Sequence, residues 1–285
     1  MERALAVQSD GVRLAVREWP GKGPAILLLH GLASSSHIYD LLAPKLTGDF
    51  HVVAYDHRGH GQSSKPRSGY GFDRTAGDAA AVIRKLRLRR PLIVGHSWGA
   101  NVALEVAVRY PRAVSGLVFL DGGFLPMRNR MDWRSARELL APPPLAGMHV
   151  DQFLAMGREM TEGSLRFTQA VQRVFLSLMH VDAEGKIRPR LSRQNHLRIL
   201  RALWQQDPLE LLPRVRVPTL IIATRPKEAS GADAMFVEAK RGGEAAVRAI
   251  GPRVRFEWMQ AIHDVPLQRP EALARRIRRF AAEVA

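Results

Sequence analysis

Short apolar runs recur along the chain, and stretches with helical spacing separate most of them. An alternating segment at 12–19 is followed by apolar runs at 25–30, 51–55, 91–95, 116–120, 220–223 and 254–258. Helical patterns occupy 38–46, 73–86, 100–110 and 270–284. Continuous apolar runs predict strands that are buried on both faces. Strands that alternate with helices predict an α/β fold, with a mostly parallel central sheet covered by helices.

The alternation stops between residues 122 and 212. Four amphipathic stretches, at 133–140, 150–160, 164–178 and 192–204, follow one another there without an apolar strand run. We therefore predict a core formed by residues 1–121 and 213–285, with a helical cap (lid) inserted at residues 122–212. Ligands in open α/β sheets bind at the carboxyl ends of the strands, so we expect the cap to cover that edge.

Composition narrows the function classes. The chain has no cysteine, which excludes disulfides, thiolate metal sites and a cysteine nucleophile. Its net charge of +16 comes largely from arginines spread along the sequence, without interleaved aromatic residues. This pattern favours a solvated basic surface over a specific nucleic-acid site. The apolar runs are too short to span a bilayer, and Met1 leads into a polar segment, so we expect a cytoplasmic protein.

The strongest chemical signal is the segment Gly95-His96-Ser97-Trp98-Gly99, which lies between an apolar run and a helical pattern. A serine on a sharp turn between strand and helix adopts strained backbone angles. Its neighbours two positions away must be small, so that strand and helix can approach each other. The sequence therefore predicts that Ser97 is an exposed nucleophile at the beginning of a helix.

Two further segments complete the predicted machinery. His263 follows the last apolar run, so it lies on a loop at the same edge of the sheet, as a base for Ser97 requires. His30-Gly31-Leu32 ends the first long apolar run. The backbone N–H groups of Leu32 and Trp98 are predicted to form an oxyanion hole.

These motifs, together with the segment 56–63 (Asp-His-Arg-Gly-His-Gly-Gln-Ser), resemble the α/β-hydrolase superfamily over essentially the whole chain. The resemblance implies a structural role for segment 56–63, a turn after the fourth strand. Epoxide hydrolases and dehalogenases of this kind would have an aspartate at position 97, so Ser97 indicates acyl transfer instead.

The acid of the triad departs from the common pattern. After the run at 220–223, the superfamily typically has Gly-x-x-Asp, but this chain reads Thr224-Arg225-Pro226-Lys227-Glu228. The resemblance to some haloalkane dehalogenases implies the tip of the preceding strand instead, which is Asp121. Because the acid must reach the far nitrogen of His263 from the sheet edge, we favour Asp121, with Glu228 and Asp233 as alternatives.

The sequence thus predicts a serine hydrolase that acts on small to medium carboxylic esters, with no metal and no cofactor. Lactones, thioesters and carbon–carbon bonds of diketones are alternative targets of the same triad. A receptor-like protein that binds ligands with vestigial activity is an alternative of another class. Aromatic residues that could line the pocket are Trp98, Phe124, Trp133, Phe153, Phe167 and Phe175, although such residues more often belong to a core.

Overall fold

The computed structural model describes residues 2–228 and 231–284. In these residues the chain forms one large sheet, helices on both of its faces, and a small separate hairpin. The strands are β1 (Arg3–Ser9), β2 (Val12–Trp19), β3 (Ala25–Leu29), β4 (His51–Tyr55), β5 (Leu92–His96), β6 (Gly116–Leu120), β7 (Met179–Val181), β8 (Ile187–Pro189), β9 (Thr219–Arg225) and β10 (Val254–Gln260).

The large sheet has the strand order β1-β2-β4-β3-β5-β6-β9-β10 within the described ranges. Strand β2 pairs antiparallel with β1 and β4, and the strands from β4 to β10 in that order pair in parallel. The predicted α/β fold with a mostly parallel sheet is therefore confirmed. The parallel strands end at one edge, which brings the loops after β3, β5, β6, β9 and β10 together.

Helices form the connections between the strands, and some of them pack on the faces of the large sheet. They are α1 (Ala43–Leu46), α2 (Phe72–Lys85), α3 (Trp98–Arg109), α4 (Trp133–Leu140), α5 (Val150–Thr161), α6 (Gln169–Ser177), α7 (Arg193–Gln205), α8 (Pro208–Leu211), α9 (Gly231–Ala249), α10 (Val265–Gln268) and α11 (Pro270–Val284). Among the described helices, none is both long and apolar enough to cross a membrane.

Several elements differ from the sequence prediction, and among them β1 was not predicted. The pattern at 38–46 forms a 3₁₀ turn at Ser36–Tyr39 and the short helix α1, which carries a proline in its first turn. Helix α9 was not predicted, because its sequence contains the pair Gly242-Gly243 and no strong apolar stripe. Glycine is unfavourable in helices, so packing against the sheet must stabilise this one.

The two faces of the sheet bury different sets of side chains. In β5, Ile93 packs with residues of α2 and α3, such as Val82 and Ala103. Val94 packs on the opposite face, in the cluster that includes Ile277 of α11. Because both faces are covered, β5 is apolar at nearly every position, as its sequence indicated.

Helices α4 to α7 and the β7–β8 hairpin lie between β6 and β9 in the chain. The hairpin was not predicted. Side-chain hydrogen bonds join this segment to the rest of the protein: Asn195 donates to the Tyr70 hydroxyl at 2.7 Å, and Asn101 donates to Gln206 at 2.7 Å. That residues 122–212 form a separate cap stays a prediction.

A buried ion pair holds the segment that follows β4. Arg58 donates two hydrogen bonds to Asp78 of α2, at 2.7 and 2.8 Å, and a third to the carbonyl of Gly69 at 2.9 Å. The side chains are only 3% and 0% exposed. Removing one partner of such a pair leaves an uncompensated charge in the interior.

We therefore expect Asp78→Ala to lower the free energy of unfolding by about 3–5 kcal/mol. The control is Glu138→Ala, which removes an ion pair to Arg134 whose side chains are 88% and 69% exposed. This control should cost less than about 0.5 kcal/mol. Urea unfolding measures both, and equal effects of the two substitutions would contradict the role of the Arg58–Asp78 pair.

Candidate active site

Ser97 lies on the turn between β5 and α3, at the carboxyl edge of the sheet. Its backbone has φ 52° and ψ −124°, a conformation that L-residues rarely adopt. Its N–H donates to the Leu120 carbonyl at the tip of β6, at 2.8 Å. The turn is therefore held to the neighbouring strand, and Ser97 is only partly buried.

Two glycines allow this turn to form. A Cβ on Gly99 would lie 2.2 Å from the Leu29 carbonyl oxygen, and one on Gly95 would lie 2.4 Å from the Gly99 carbonyl oxygen. Real side chains do not approach backbone so closely. The close packing of β3, β5 and α3 around Ser97 thus requires glycine at both positions, as the sequence pattern implied.

His263 follows β10 and meets Asp121 at the tip of β6. Its Nδ1 atom lies 2.6 Å from Oδ2 of Asp121, and its side chain is 54% exposed. A carboxylate only accepts hydrogen bonds, so Nδ1 carries the proton and Nε2 keeps its lone pair. This is the tautomer that a base for a serine hydroxyl needs.

Asp121 is buried and tightly bound. Its side chain has no exposure to solvent, and its backbone has φ 53°. Oδ1 accepts the Thr224 N–H at 2.7 Å, and Lys240 donates to Oδ2 at 2.9 Å. Burial raises the pKa of this carboxyl, but the hydrogen bond to His263 and the positive charges outweigh it, so the pKa lies well below its usual range. Asp121 is therefore ionised at neutral pH.

The same contact sets the basicity of His263. Burial of part of the imidazole lowers its pKa, whereas the hydrogen bond to Asp121 and the charge of Asp121 raise it. The net result is a pKa above 6.5. Asp264 adds to this increase, and Lys240 opposes it.

His96, the residue before Ser97, is hydrogen-bonded to the His263 loop. Its Nε2–H donates to the backbone carbonyl of His263 at 2.9 Å, and the two rings lie 4.9 Å apart. Burial and the nearby His263 lower the pKa of His96 to about 4, so its ring is neutral. This bond connects the loop of the candidate base directly to the strand that carries the candidate nucleophile.

The two alternative acids are placed differently. Glu228 is exposed, and no described contact joins it to His263. Asp233 belongs to α9, but its side chain lies outside the described residues. Asp121 is thus the carboxylate that the described contacts bring to His263.

The residues predicted for the oxyanion hole flank Ser97. A Cβ on Gly31 would lie 3.0 Å from Cβ of Ser97, so the loop that contains Leu32 runs beside the serine. Trp98 is the first residue of α3, and the first N–H groups of a helix have no partner within it. Both backbone donors are therefore at the edge where Ser97 lies; their role as an oxyanion hole stays a prediction.

Segment 56–63 has structural contacts, in line with the sequence interpretation. The carboxylate of Asp56 accepts the N–H groups of Ser36 and Gln62, each at 2.8 Å. His30, which lies beside this segment, accepts the N–H of His57 at 3.0 Å. These bonds tie the loops after β3 and β4 together and so support the strand that precedes Leu32.

Most of the aromatic residues considered for the pocket are packed against other rings. Trp98 is buried, with His57 and His60 against its ring at 4.7 and 5.6 Å. Phe124 is buried against Phe256 at 5.2 Å. Phe153 and Phe167 lie beside Phe175, and Trp133 lies beside Trp204. The structure therefore favours a core role for Trp98, Phe124 and Phe153.

A groove of about 1030 Å³ lies next to the His263 loop. Its lining includes Leu165, Glu228, Ala261 and Ile262, but neither Ser97 nor His263. It therefore adjoins the candidate site without containing it.

Sequence reasoning missed His96, Thr224 and Lys240 as parts of this site. His96 makes its contact to a distant backbone carbonyl, and Thr224 acts through its backbone, and no sequence signal reveals either contact. Lys240 did leave a signal. It lies three residues after Val237 and seven before Val247, so it occupies the buried stripe of α9 where an apolar residue is expected.

The tip of β6 also offers a test of how closely the site is packed. A Cβ on Gly122 would lie 2.2 Å from the Ser97 carbonyl oxygen, whereas one on Gly48 would meet nothing within 4 Å. We expect Gly122→Ala to displace the serine turn, to cost about 1–3 kcal/mol of stability, and to slow labelling of Ser97 by a fluorophosphonate. Gly48→Ala is the control for thermal unfolding and labelling rate; equal behaviour of the two variants would contradict this packing.

Comparison with known proteins supports the fold in which this geometry lies. A family model described as alpha/beta hydrolase fold matches residues 24–151. The 2-(acetamidomethylene)succinate hydrolase of Mesorhizobium japonicum is 40% identical over 110 residues, 39% of each chain. The fluoroacetate dehalogenase of a Burkholderia species is 38% identical over 106 residues, 35% of each chain. The matched segments thus span well under half of these relatives.

A solved structure covers the whole chain. The crystal structure of E-2-(acetamidomethylene)succinate hydrolase matches with a TM-score of 0.78 and 26% identity, over 99% of this chain and 100% of that one. The sheet order, the strained serine turn after β5 and these matches lead to one conclusion: this chain has the α/β-hydrolase fold.

Proposed function

We propose that this chain is a serine hydrolase that cleaves carboxylic esters through an acyl-enzyme, with Ser97, His263 and Asp121 as its triad. The observation that carries the proposal is the 2.6 Å contact between His263 Nδ1 and Asp121 Oδ2, at the edge where Ser97 turns into α3. A buried carboxylate that fixes the imidazole tautomer is what a histidine needs in order to activate a serine.

The reaction follows from this arrangement. Nε2 of His263 takes the proton of Ser97 as Oγ attacks the ester carbonyl carbon, and the imidazolium that forms is stabilised by Asp121. The N–H groups of Leu32 and Trp98 bind the oxyanion. As the tetrahedral intermediate collapses, His263 gives its proton to the departing alcohol. Water, deprotonated by the same histidine, then attacks the acyl carbon, and His263 returns the proton to Oγ of Ser97 as the acid departs.

The choice of an ester rests on the chemistry of the triad. Serine attack suits carboxylic esters, and also lactones, thioesters and activated carbon–carbon bonds. The name of the Mesorhizobium japonicum relative refers to a substrate with an acetamido group, so amides belong in the same comparison. A panel of p-nitrophenyl esters, a lactone, a thioester, an anilide and a vinylogous diketone decides between them. We expect the highest kcat/KM with short to medium, uncharged esters; preference for another class would replace ester hydrolysis with that reaction.

Substitutions at the triad give the first test. On a short p-nitrophenyl ester, we expect Ser97→Ala to lower kcat/KM at least about 10³-fold and Asp121→Asn about 10²- to 10⁴-fold. Glu228→Gln is the matched control and should stay within about twofold of the wild type. Full activity of Ser97→Ala would exclude the mechanism. Loss of activity in Glu228→Gln, with Asp121→Asn fully active, would identify Glu228 as the acid of the triad. Tight ligand binding with negligible turnover of every ester would support a receptor-like protein instead.

The pH dependence gives a second test. His263 must be neutral to accept the serine proton, and its pKa is raised by Asp121. As the pH falls through that pKa, kcat/KM should fall in proportion to the neutral fraction, with a midpoint above about 6.5. In Asp121→Asn, the acid limb of the remaining activity should move to lower pH, because the negative charge that raises the pKa of His263 is gone. A wild-type midpoint below 6.5 in the rate profile would contradict the proposed pairing.

A further inference from the structure

The triad acid has a second charged neighbour, which comes from an element far along the chain. Lys240 lies on α9 and is buried, with its side chain only 10% exposed. Its Nζ lies 2.7 Å from Oδ1 of Asp121 and 2.9 Å from Oδ2. It also donates to the carbonyl oxygen of Thr224 at 2.9 Å. The ammonium group is thus clamped between the tips of β6 and β9.

The contacts of Asp121 leave it a single orientation. Oδ1 accepts from Thr224 and lies beside Lys240, while Oδ2 accepts from Lys240 and His263. A rotation of the carboxylate that broke the bond to His263 would also break bonds to the other two. Burying an ammonium group costs free energy unless the group is paired with an opposite charge. We therefore expect Lys240 to bind the Asp121 carboxylate tightly and to limit its movement.

We propose that Lys240 is a positioning residue for the proposed hydrolysis: it locks the Asp121 carboxylate toward His263 and offsets part of its negative charge. This inference rests on the triad proposed above. The described hydrogen bonds of Lys240 go to Asp121 and Thr224, so it acts by holding Asp121 and by its charge near His263.

The charge balance explains what such a residue does. Asp121 and His263 alone would carry one negative charge at rest, and Lys240 offsets that charge. The groups that face His263 are Asp121 from β6, Lys240 from α9, Asp264 from its own loop and His96 from β5. Asp121 and Asp264 raise the pKa of His263, and Lys240 lowers it. Lys240 therefore keeps the base neutral at a lower pH than the carboxylates alone would allow.

The test removes the charge while keeping the length of the side chain. We expect Lys240→Met to lower kcat by between about tenfold and about 100-fold with KM within about threefold, since the acid loses its fixed position. The acid limb of kcat/KM should move to higher pH. Lys240→Arg, which keeps the charge, should leave the limb where it is. Lys227→Met, at an exposed lysine of the loop after β9, is the control for both readouts.

A measurement without turnover separates this inference from the proposed function. In the Ser97→Ala background, the imidazole resonances of His263 are titrated by NMR with and without Lys240→Met. An upward shift of the His263 midpoint supports the role of Lys240 even if no ester is hydrolysed. An unchanged midpoint overturns it, as does a Lys240→Met variant that loses only thermal stability. Should Lys240→Met not fold, Lys240→Gln replaces it in both experiments, with the same outcomes deciding.

Discussion

A single buried carboxylate, that of Asp121, joins four parts of the chain at the edge of the sheet. It directly follows β6 and binds the His263 loop, the end of β9 and the middle of α9. Because its side chain is fully buried, the charge depends on these partners for all of its compensation. The position of the His263 imidazole follows from how this one group is satisfied, and the role proposed for Ser97 depends on that position.

Much of the fold is readable from the sequence, for a physical reason. A strand buried on both faces has to be apolar throughout, so β4 and β6 were predicted with the bounds that the structure has. The serine turn was readable because close backbone approach leaves glycine as the suitable residue at positions 95 and 99. In both cases a strict steric or solvation requirement acts on residues that lie close together in the sequence.

Other features depend on contacts between distant residues and leave a weaker trace. Helix α9 has no clear apolar stripe, since a lysine occupies part of its buried face. The hairpin β7–β8 consists of strands of three residues, which are too short to show a period. The choice of Asp121 among three carboxylates followed from its position at a strand tip; the sequence could not show that Thr224 and Lys240 meet it there.

The hydrogen bond from His96 to the backbone of His263 has a consequence for how long the site stays assembled. The His263 side chain is half exposed, yet swinging its loop outward would leave the buried Nε2–H of His96 without a partner. Such a loss costs about 1–3 kcal/mol, which corresponds to an open fraction between about one molecule in six and one in 160. The imidazole of His263 thus stays beside Asp121 for most of the time, and an arriving ligand has little ordering left to impose.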